Sequence, residues 1–203
     1  MTRSCAALAA ITAILMYSCG GSQPVETLPD LGVVPDFTLT ERSGKTVSLA
    51  DLRGAPWVAD FVFTSCAGPC PRISSQMAHL QKSDADLEGV RFVSFTVDPE
   101  TDTPAVLREY ANKFGASPER WLFLTGGKQH LYTLIRDGFK LAVDDGQGES
   151  PGSPPSGVIT HSTRFVLVDA DARIRAYLDS TEPDFEEKAL AGLQALTAEA
   201  RKG

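Results

Sequence analysis

The sequence has no surplus of positive charge, and beyond its apolar N-terminus it has no apolar segment that approaches the length needed to span a membrane. Its 203 residues include 26 acidic and 19 basic side chains, which gives a formal net charge of −7. This balance argues against a nucleic acid partner and against electrostatic binding to anionic lipid, because both attract cationic proteins. The sequence also shows no internal repeat. The chain beyond its apolar N-terminus is therefore expected to form one acidic domain with a substantial core.

The apolar N-terminal segment has the features of an export signal. Arg3 supplies a basic start, and the uncharged stretch 5–17 is too short to cross a bilayer as a helix. It ends at Ser18-Cys19-Gly20-Gly21, which resembles a bacterial lipoprotein cleavage site with Cys19 as the lipidated residue. An ordinary export signal or an uncleaved anchor is the alternative. Every version exports the chain to a compartment where disulfides persist.

These features predict the domain organisation. We expect a lipoprotein signal peptide over 1–18, a tether over 19–35 that contains three prolines, and one domain over 36–203. The lipid on Cys19 would anchor the protein to a bacterial membrane, facing the periplasm or the cell exterior.

Strand and helix patterns alternate along the domain. Ser43-Gly44-Lys45 predicts an N-terminal hairpin, and the nearly unbroken apolar run 57–63 is typical of a strand buried on both faces. The later predicted elements are a helix 71–82, a strand 91–97, a helix 103–114, a strand 121–124, a helix 128–136, a mobile loop 144–160, strands 165–168 and 174–177, and a C-terminal amphipathic helix with Phe185, Ala189, Leu193 and Leu196 on one face. This order predicts an α/β fold of thioredoxin type, with a central mixed sheet flanked by helices.

Two cysteines, Cys66 and Cys70, stand four residues apart between the buried strand and the following helix. Pro71 suits the first turn of that helix, where its missing N–H is not needed. The partial positive charge of the helix N-terminus predicts a thiolate at Cys70. Paired thiolates there suit disulfide exchange, peroxide chemistry or a soft metal such as Cu(I) or Zn. A structural disulfide or two packed thiols are the alternative.

Three segments together resemble the Sco/SenC family of exported copper-binding proteins. They are Phe63-Thr-Ser-Cys66-Ala-Gly-Pro-Cys70-Pro71, Val97-Asp98-Pro99-Glu100-Thr-Asp102-Thr, and Thr160-His161-Ser-Thr-Arg-Phe-Val-Leu-Val-Asp169. Their order and spacing extend the resemblance over roughly residues 34–200. It implies a thioredoxin fold, one copper ion per chain, and a role in delivering or preparing copper for the dinuclear copper site of cytochrome c oxidase.

The resemblance implies that Cys66, Cys70 and His161 are the copper ligands. Two thiolates and a neutral imidazole suit three-coordinate Cu(I) or tetragonal Cu(II). Ala67 stands where the family commonly has proline, which leaves the loop freer. No proline stands immediately before Phe165, the position at which the thioredoxin fold usually has a cis-proline beside its cysteines, and His161-Ser-Thr occupies that stretch instead. A dedicated disulfide exchanger would be expected to keep that proline.

Two aspartates are further candidates near this site. Asp60 precedes Cys66 by six residues on the same strand, as the buried carboxylate does in thioredoxin. It is a possible proton relay that could set the redox poise of the thiols, or it faces solvent or caps a neighbouring group. Asp98 is a candidate for the layer behind the copper ligands, but the formation of the turn before the next helix is the favoured role.

Other side chains are expected to stay outside the site. Met77 and His79 lie about two turns into the helix after Cys70, so a core Met77 and a surface His79 are predicted. His130 is expected to be structural, and the sequence gives no test of Arg164.

The function expected from these features is that of a copper metallochaperone with no catalysis of its own. Its partner would be the copper-site subunit of cytochrome c oxidase or another copper enzyme. The alternatives are a thiol–disulfide oxidoreductase that keeps target cysteines reduced, and a thiol peroxidase. An oxidoreductase typically has Cys-x-x-Cys, and a peroxidase has Thr-x-x-Cys; neither spacing occurs at Cys66 and Cys70. The chaperone and reductase roles can coexist, because Cu(I) binding needs both thiols reduced.

Overall fold

The computed structural model describes residues 28–83, 87–144 and 159–202. The predicted signal peptide, Cys19 and the start of the tether lie outside these ranges. The elements in chain order are β1 (Thr38–Glu41), β2 (Thr46–Ser48), α1 (Leu49–Leu52), β3 (Trp57–Val62), α2 (Cys70–Lys82), β4 (Arg91–Thr96), α3 (Pro104–Lys113), β5 (Trp121–Thr125), α4 (Lys128–Thr133), a π-helical turn (Leu134–Gly138), β6 (Val143–Asp144), β7 (Thr160–His161), β8 (Arg164–Val168), β9 (Ile174–Asp179) and α5 (Phe185–Ala200).

Seven of the described strands form one mixed sheet in the order β2-β1-β5-β4-β3-β8-β9. β3, β4 and β5 run parallel, while β1 and β8 pair antiparallel with their neighbours. β3 is central, and all six of its residues are buried, as the apolar run predicted. The hairpin of β1 and β2 is confirmed as well. The sheet, with helices on both faces, is the predicted thioredoxin-like fold.

Alternate side chains of β3 enter two separate cores. Trp57 and Phe61 belong to a cluster that includes side chains of α1 and α4, whereas Val58 and Val62 belong to one that includes side chains of α2, α3 and α5. Asp60 has the parity of Val58 and Val62, so it faces the same side as α2. The predicted apolar face of α5 is buried in this second core: Phe185, Ala189, Leu193 and Leu196.

The helix predicted over 128–136 changes character at its end. α4 stops at Thr133 and is followed by the π-helical turn, in which the Phe139 N–H donates to the Leu134 carbonyl at 2.9 Å. Phe139 is fully buried and packs edge-on against Trp57 and Phe61. The wider turn brings this ring into the core, a tertiary demand that no local pattern reveals.

Part of the predicted tether lies in the described chain and packs on the domain. The Leu31 N–H donates to the Ile174 carbonyl at 2.8 Å, and the Val34 N–H donates to the Ala172 carbonyl at 3.0 Å. Val34 is buried in the first core. The tether therefore cannot be free beyond Leu31. Within the described ranges, no helix combines the length and hydropathy of a membrane-spanning segment.

The segment predicted as a loop over 144–160 begins and ends in strands. β6 and β7 pair antiparallel, with Val143 opposite His161 and Asp144 opposite Thr160. Residues 145–158 lie outside the described chain. The prediction of an irregular segment was therefore wrong at its two ends, where the main chain forms a short two-stranded sheet.

Candidate metal centre

A tight turn between β3 and α2 places the two cysteines. The Cys66 N–H donates to the Phe63 carbonyl at 3.3 Å, and α2 begins at Cys70 with Pro71 in its first turn. The Gly68 N–H points at the Cys66 sulfur, 3.3 Å away. Cys66 is partly exposed, whereas Cys70 is fully buried. The turn therefore presents one sulfur to solvent and one to the core. Both cysteines are free thiols.

The third donor comes from the short sheet of β6 and β7. The Ser162 N–H donates to the Ala142 carbonyl at 3.2 Å and continues the pairing beyond His161. The His161 Nδ1 lies 2.9 Å from the Ser162 carbonyl, which can only accept, so Nδ1 carries the proton. The other ring nitrogen, Nε2, therefore has a free lone pair, and it lies 3.3 Å from the Cys70 sulfur. The Phe63 ring packs edge-on against the imidazole at 5.6 Å.

The two sulfurs and the imidazole nitrogen all lie within 4.8 Å of one another. Small side-chain movements would close them around one ion, and two thiols with one imidazole form a donor set that favours a soft metal. Among the described residues, no other group of three cysteine, histidine or acidic side chains is arranged to hold a metal. The structure thus brings together the three side chains that the sequence resemblance selected.

Burial controls the protonation of this site. It raises the pKa of the Cys70 thiol well above its usual value, and the nearby Cys66 and Asp60 add to the shift. The expected thiolate at Cys70 is therefore wrong for the metal-free protein, because loss of hydration outweighs the helix N-terminus. Burial also lowers the pKa of His161, and its bond to Ser162 offsets only part of this shift. The imidazole is therefore neutral, the form that binds metals.

A cavity of about 350 Å³ opens onto Cys66 and His161. The neutral imidazole and seven other residues line it, and none of them is charged: Phe63, Ser65, Cys66, Ala67, Gly68, Pro69 and Ile159. A soft ion or the thiol of another molecule can therefore reach Cys66 without passing a charged group.

The two predicted aspartates differ in their relation to the site. Asp60 is fully buried on the α2 side of the sheet, and neither of its oxygens has a hydrogen-bond partner within the described chain. The alternative of a solvent-facing Asp60 is thus wrong. The Asp98 carbonyl accepts bonds from the N–H groups of Thr101 and Asp102 at 3.2 and 2.8 Å, which forms the turn before α3. The favoured turn-forming role of Asp98 agrees with this geometry.

The remaining candidates lie away from the three donors. Met77 is buried, and His79 is exposed, as predicted. His130 is exposed on α4, and Arg164 is exposed at the start of β8. None of these four belongs to the group that could hold a metal.

The sequence analysis missed Asp102. This side chain is fully buried and accepts hydrogen bonds from the Thr64 N–H, the Thr64 hydroxyl and the Thr96 hydroxyl. It therefore holds the chain two residues before Cys66. The available signal was its place in the Asp98-Pro99-Glu100-Thr101-Asp102 segment, but that segment does not reveal which of its two aspartates is buried.

Known proteins share both the sequence and the fold. The chain is 36% identical over 163 residues to a SCO1 protein homolog of Bacillus subtilis, covering 79% of this chain and 80% of the relative. A SCO1/SenC family lipoprotein from Bacillus anthracis superposes with a TM-score of 0.73 and 31% identity, over 82% of this chain and 96% of its own.

Two further structures resemble the chain. BsSco, a member of the Sco family of cytochrome c oxidase assembly proteins in which a disulfide switch was identified, gives a TM-score of 0.71 and 30% identity over 84% of this chain and 97% of its own. Copper-bound ScoI of Bradyrhizobium japonicum shares the fold, with a TM-score of 0.63 and 24% identity over 81% and 99% of the two chains.

The family model described as SCO1/SenC matches residues 26–198, a range that contains β1 to β9, nearly all of α5 and all three members of the Cys66, Cys70 and His161 group. The chain belongs to the SCO1/SenC family.

Proposed function

We propose that this protein binds one copper ion through Cys66, Cys70 and His161 and passes it to the copper-site subunit of a cytochrome c oxidase or to another copper enzyme. The observation that carries the proposal is the convergence of two free thiols and one neutral imidazole within 4.8 Å of one another. Copper is the cargo. The role needs a site that captures the ion and releases it to a partner, and the partly exposed Cys66 offers the route in and out.

Family membership supports the copper role and the partner. BsSco, at 30% identity, is described as a member of a family of cytochrome c oxidase assembly proteins. The Bradyrhizobium ScoI structure holds copper on the same fold. The donor set of this chain suits copper on chemical grounds as well, because thiolates select Cu(I) and imidazole suits copper in either oxidation state.

The direct test is an anaerobic titration of the purified protein with Cu(I) against a chelating competitor. We expect the wild type to bind one Cu(I) ion per chain in competition with the chelator. The double variant Cys66→Ser/Cys70→Ser should fail to take Cu(I) from the chelator. Unchanged affinity in the double variant, or a stoichiometry near zero in the wild type, would contradict the proposal.

The histidines provide a matched set of controls for the ligand assignment. His161→Ala removes one of three donors, so it should alter Cu(II) absorption and weaken Cu(I) binding. The loss of affinity should exceed the 10–100-fold that is typical when a residue that only hydrogen-bonds to a metal ligand is substituted. His79→Ala and His130→Ala remove exposed imidazoles and should leave both unchanged. Equal effects from all three substitutions would show that the assignment is wrong.

A thiol–disulfide role is a second candidate, since the relative BsSco has a disulfide switch. In exchange with a disulfide such as oxidised glutathione, the Cys66–Cys70 S–S bond would form as the S–S bond of the oxidant breaks, and the two electrons and two protons would pass to its two thiols. Because the same sulfurs cannot bind copper as thiolates, the oxidised protein should bind Cu(I) poorly. Mass spectrometry with and without alkylation would identify the disulfide, and a parallel titration would measure the loss of affinity. Undiminished affinity in the disulfide form would contradict this competition.

We also propose that Cys19 carries a lipid that holds the protein at an extracytoplasmic membrane surface. The Ser18-Cys19-Gly20-Gly21 segment supports this anchor, and the Bacillus anthracis relative is described as a lipoprotein. Anchoring would raise the effective concentration of the copper site near a membrane-embedded acceptor. Cys19→Ala should move the protein out of the membrane fraction or block its processing, without changing its copper affinity in vitro. A wild-type protein found soluble with an unmodified N-terminus would refute the anchor.

A further inference from the structure

Asp102 is a buried carboxylate that faces hydroxyl groups instead of a cation. The Thr64 hydroxyl donates to Oδ1 at 2.5 Å, the Thr96 hydroxyl donates to Oδ2 at 2.5 Å, and the Thr64 N–H lies 3.2–3.3 Å from both oxygens. Within the described residues it forms no salt bridge. An unpaired carboxylate is costly to bury, so a position that needed only stability would be better filled by a neutral side chain.

The donors to Asp102 come from two neighbouring parallel strands. Thr96 is the last residue of β4, and Thr64 follows the end of β3 by two positions. The Thr96 hydroxyl also accepts from the Asp98 N–H at 2.9 Å, so its own proton is directed to Asp102. Asp102 itself stands two residues before α3. One side chain therefore joins three chain segments at the edge of the sheet where the metal centre lies.

This junction fixes one end of the turn that carries Cys66. Thr64 is held by both its N–H and its hydroxyl, and the preceding carbonyl, that of Phe63, accepts from the Cys66 N–H. The other end of the turn is fixed at Cys70, where α2 begins. Only 65–69 lies between these fixed ends. The position of the Cys66 sulfur therefore depends on how firmly Thr64 is held.

We propose that Asp102 is the positioning residue for Cys66. By binding Thr64 to the end of β4, it keeps the Cys66 sulfur near Cys70 and His161, and it keeps the Phe63 ring against the imidazole. The inference rests on the proposed copper function for its affinity readout. The reactivity of the two thiols reports the same geometry without copper.

The test compares Asp102→Asn and Thr64→Val with the control Thr197→Val. Asp102→Asn keeps the size of the side chain but replaces one acceptor oxygen by an NH₂ group, and Thr64→Val removes the hydroxyl donor. Thr197 is also a buried threonine with one hydroxyl bond, to the Leu193 carbonyl in α5. We expect both site variants to weaken Cu(I) binding about tenfold or more and to change Cu(II) absorption. Thr197→Val should change neither Cu(I) affinity nor Cu(II) absorption. Thr64→Ser keeps the hydroxyl, so it should have the Cu(I) affinity and Cu(II) absorption of the wild type.

The copper-free readout is the exchange equilibrium with glutathione, in which the dithiol and one oxidised glutathione give the Cys66–Cys70 disulfide and two reduced glutathiones. A looser turn lowers the effective concentration of one thiol at the other, so both site variants should shift this equilibrium about tenfold towards the dithiol, equivalent to ~30 mV. Urea unfolding of each variant verifies that it is folded. Wild-type affinity and wild-type exchange in both variants would overturn the proposal. If the wild type binds no copper, the copper function fails, and the exchange equilibrium alone decides the role of Asp102.

Discussion

Asp60 and Asp102 are both fully buried aspartates, yet their surroundings are opposite. Asp102 receives three hydrogen bonds, whereas neither oxygen of Asp60 has a partner in the described part of the chain. Burial raises the pKa of Asp60 to about 7, and the nearby Ser94 hydroxyl opposes only part of this shift. The two carboxyl groups are equally buried, but they differ in hydrogen bonding and therefore in their roles. Asp102 organises its neighbours through the bonds it accepts, and Asp60 changes its charge close to neutral pH.

The largest expected effect is on the pH dependence of stability in Asp60→Asn. The folded-state pKa of Asp60 lies above its unfolded value of 3.8, so the folded protein binds this proton more tightly. Stability from this group is complete below pH 4 and is lost as the pH rises towards 7, by about 4 kcal/mol in total. Asp60→Asn removes this loss. The free energy of unfolding by urea, measured at pH 4.5 and pH 8, should fall less in the variant than in the wild type.

Two neighbouring groups define the window for this measurement. Burial raises the pKa of Cys70 and of Tyr110, and the charge of Asp60 adds to both shifts. Neither group therefore titrates between pH 4.5 and pH 8. Identical pH dependence in the wild type and in Asp60→Asn would show that Asp60 does not titrate as proposed.

Asp102→Asn should have the opposite sign at pH 8 and a smaller magnitude. The amide loses one acceptor oxygen and leaves a buried hydroxyl unsatisfied, which costs about 2 kcal/mol. Asp60→Asn at the same pH should instead stabilise the protein, because it removes an unsolvated charge. Urea unfolding at pH 8 compares the two variants directly. A loss of stability in both would mean that the two carboxylates do not differ as the hydrogen bonds indicate.

The smallest effect is expected for Thr96→Val, which removes one of the donors to Asp102. It also removes the acceptor of the Asp98 N–H, but Asp98 is only partly buried and that N–H can bond to water. The cost should therefore be about 1 kcal/mol, since the carboxylate keeps its two bonds to Thr64. Because the Thr96 hydroxyl is bonded directly to Asp102, the effects of Thr96→Val and Asp102→Asn should not add. A double-mutant cycle in urea measures this coupling. Additive losses would place Thr96 outside the network.

Local patterns were enough to predict most of the fold and the three donors. Periodicity and helix-start rules reveal features that depend only on residues close together in the sequence. Three such features are the apolar run of β3, the Cys70-Pro71 start of α2 and the buried face of α5. Their alternation predicts the sheet. The three metal donors could be predicted because three separate segments together resembled one family. No single segment would have been enough for that prediction.

The features that the sequence did not reveal depend on contacts between distant residues. β6 and β7 have two residues each, too few to show a periodic pattern. The Cys70 thiol follows a helix-start rule locally, but tertiary burial reverses the direction of its pKa shift. The burial of Asp102 depends on hydroxyl groups supplied by two other segments of the chain. The proton-relay role of Asp60 stays a prediction, since no described hydrogen bond joins it to either cysteine.

The metal centre depends on pairing between distant segments of the chain, because His161 is held on a strand that pairs with Val143. Cys66 and Cys70 are neighbours in any conformation of the chain, but His161 lies 91 positions after Cys70, and the folded sheet, in which β8 pairs with β3, brings it close to them. An unfolded chain can therefore offer a thiol pair to copper but not the complete three-donor site. An ion that requires all three donors binds the native state alone, and at a free concentration 100 times its dissociation constant it would add about 2.7 kcal/mol to stability. Loading of copper at full affinity would then report that the chain has finished folding.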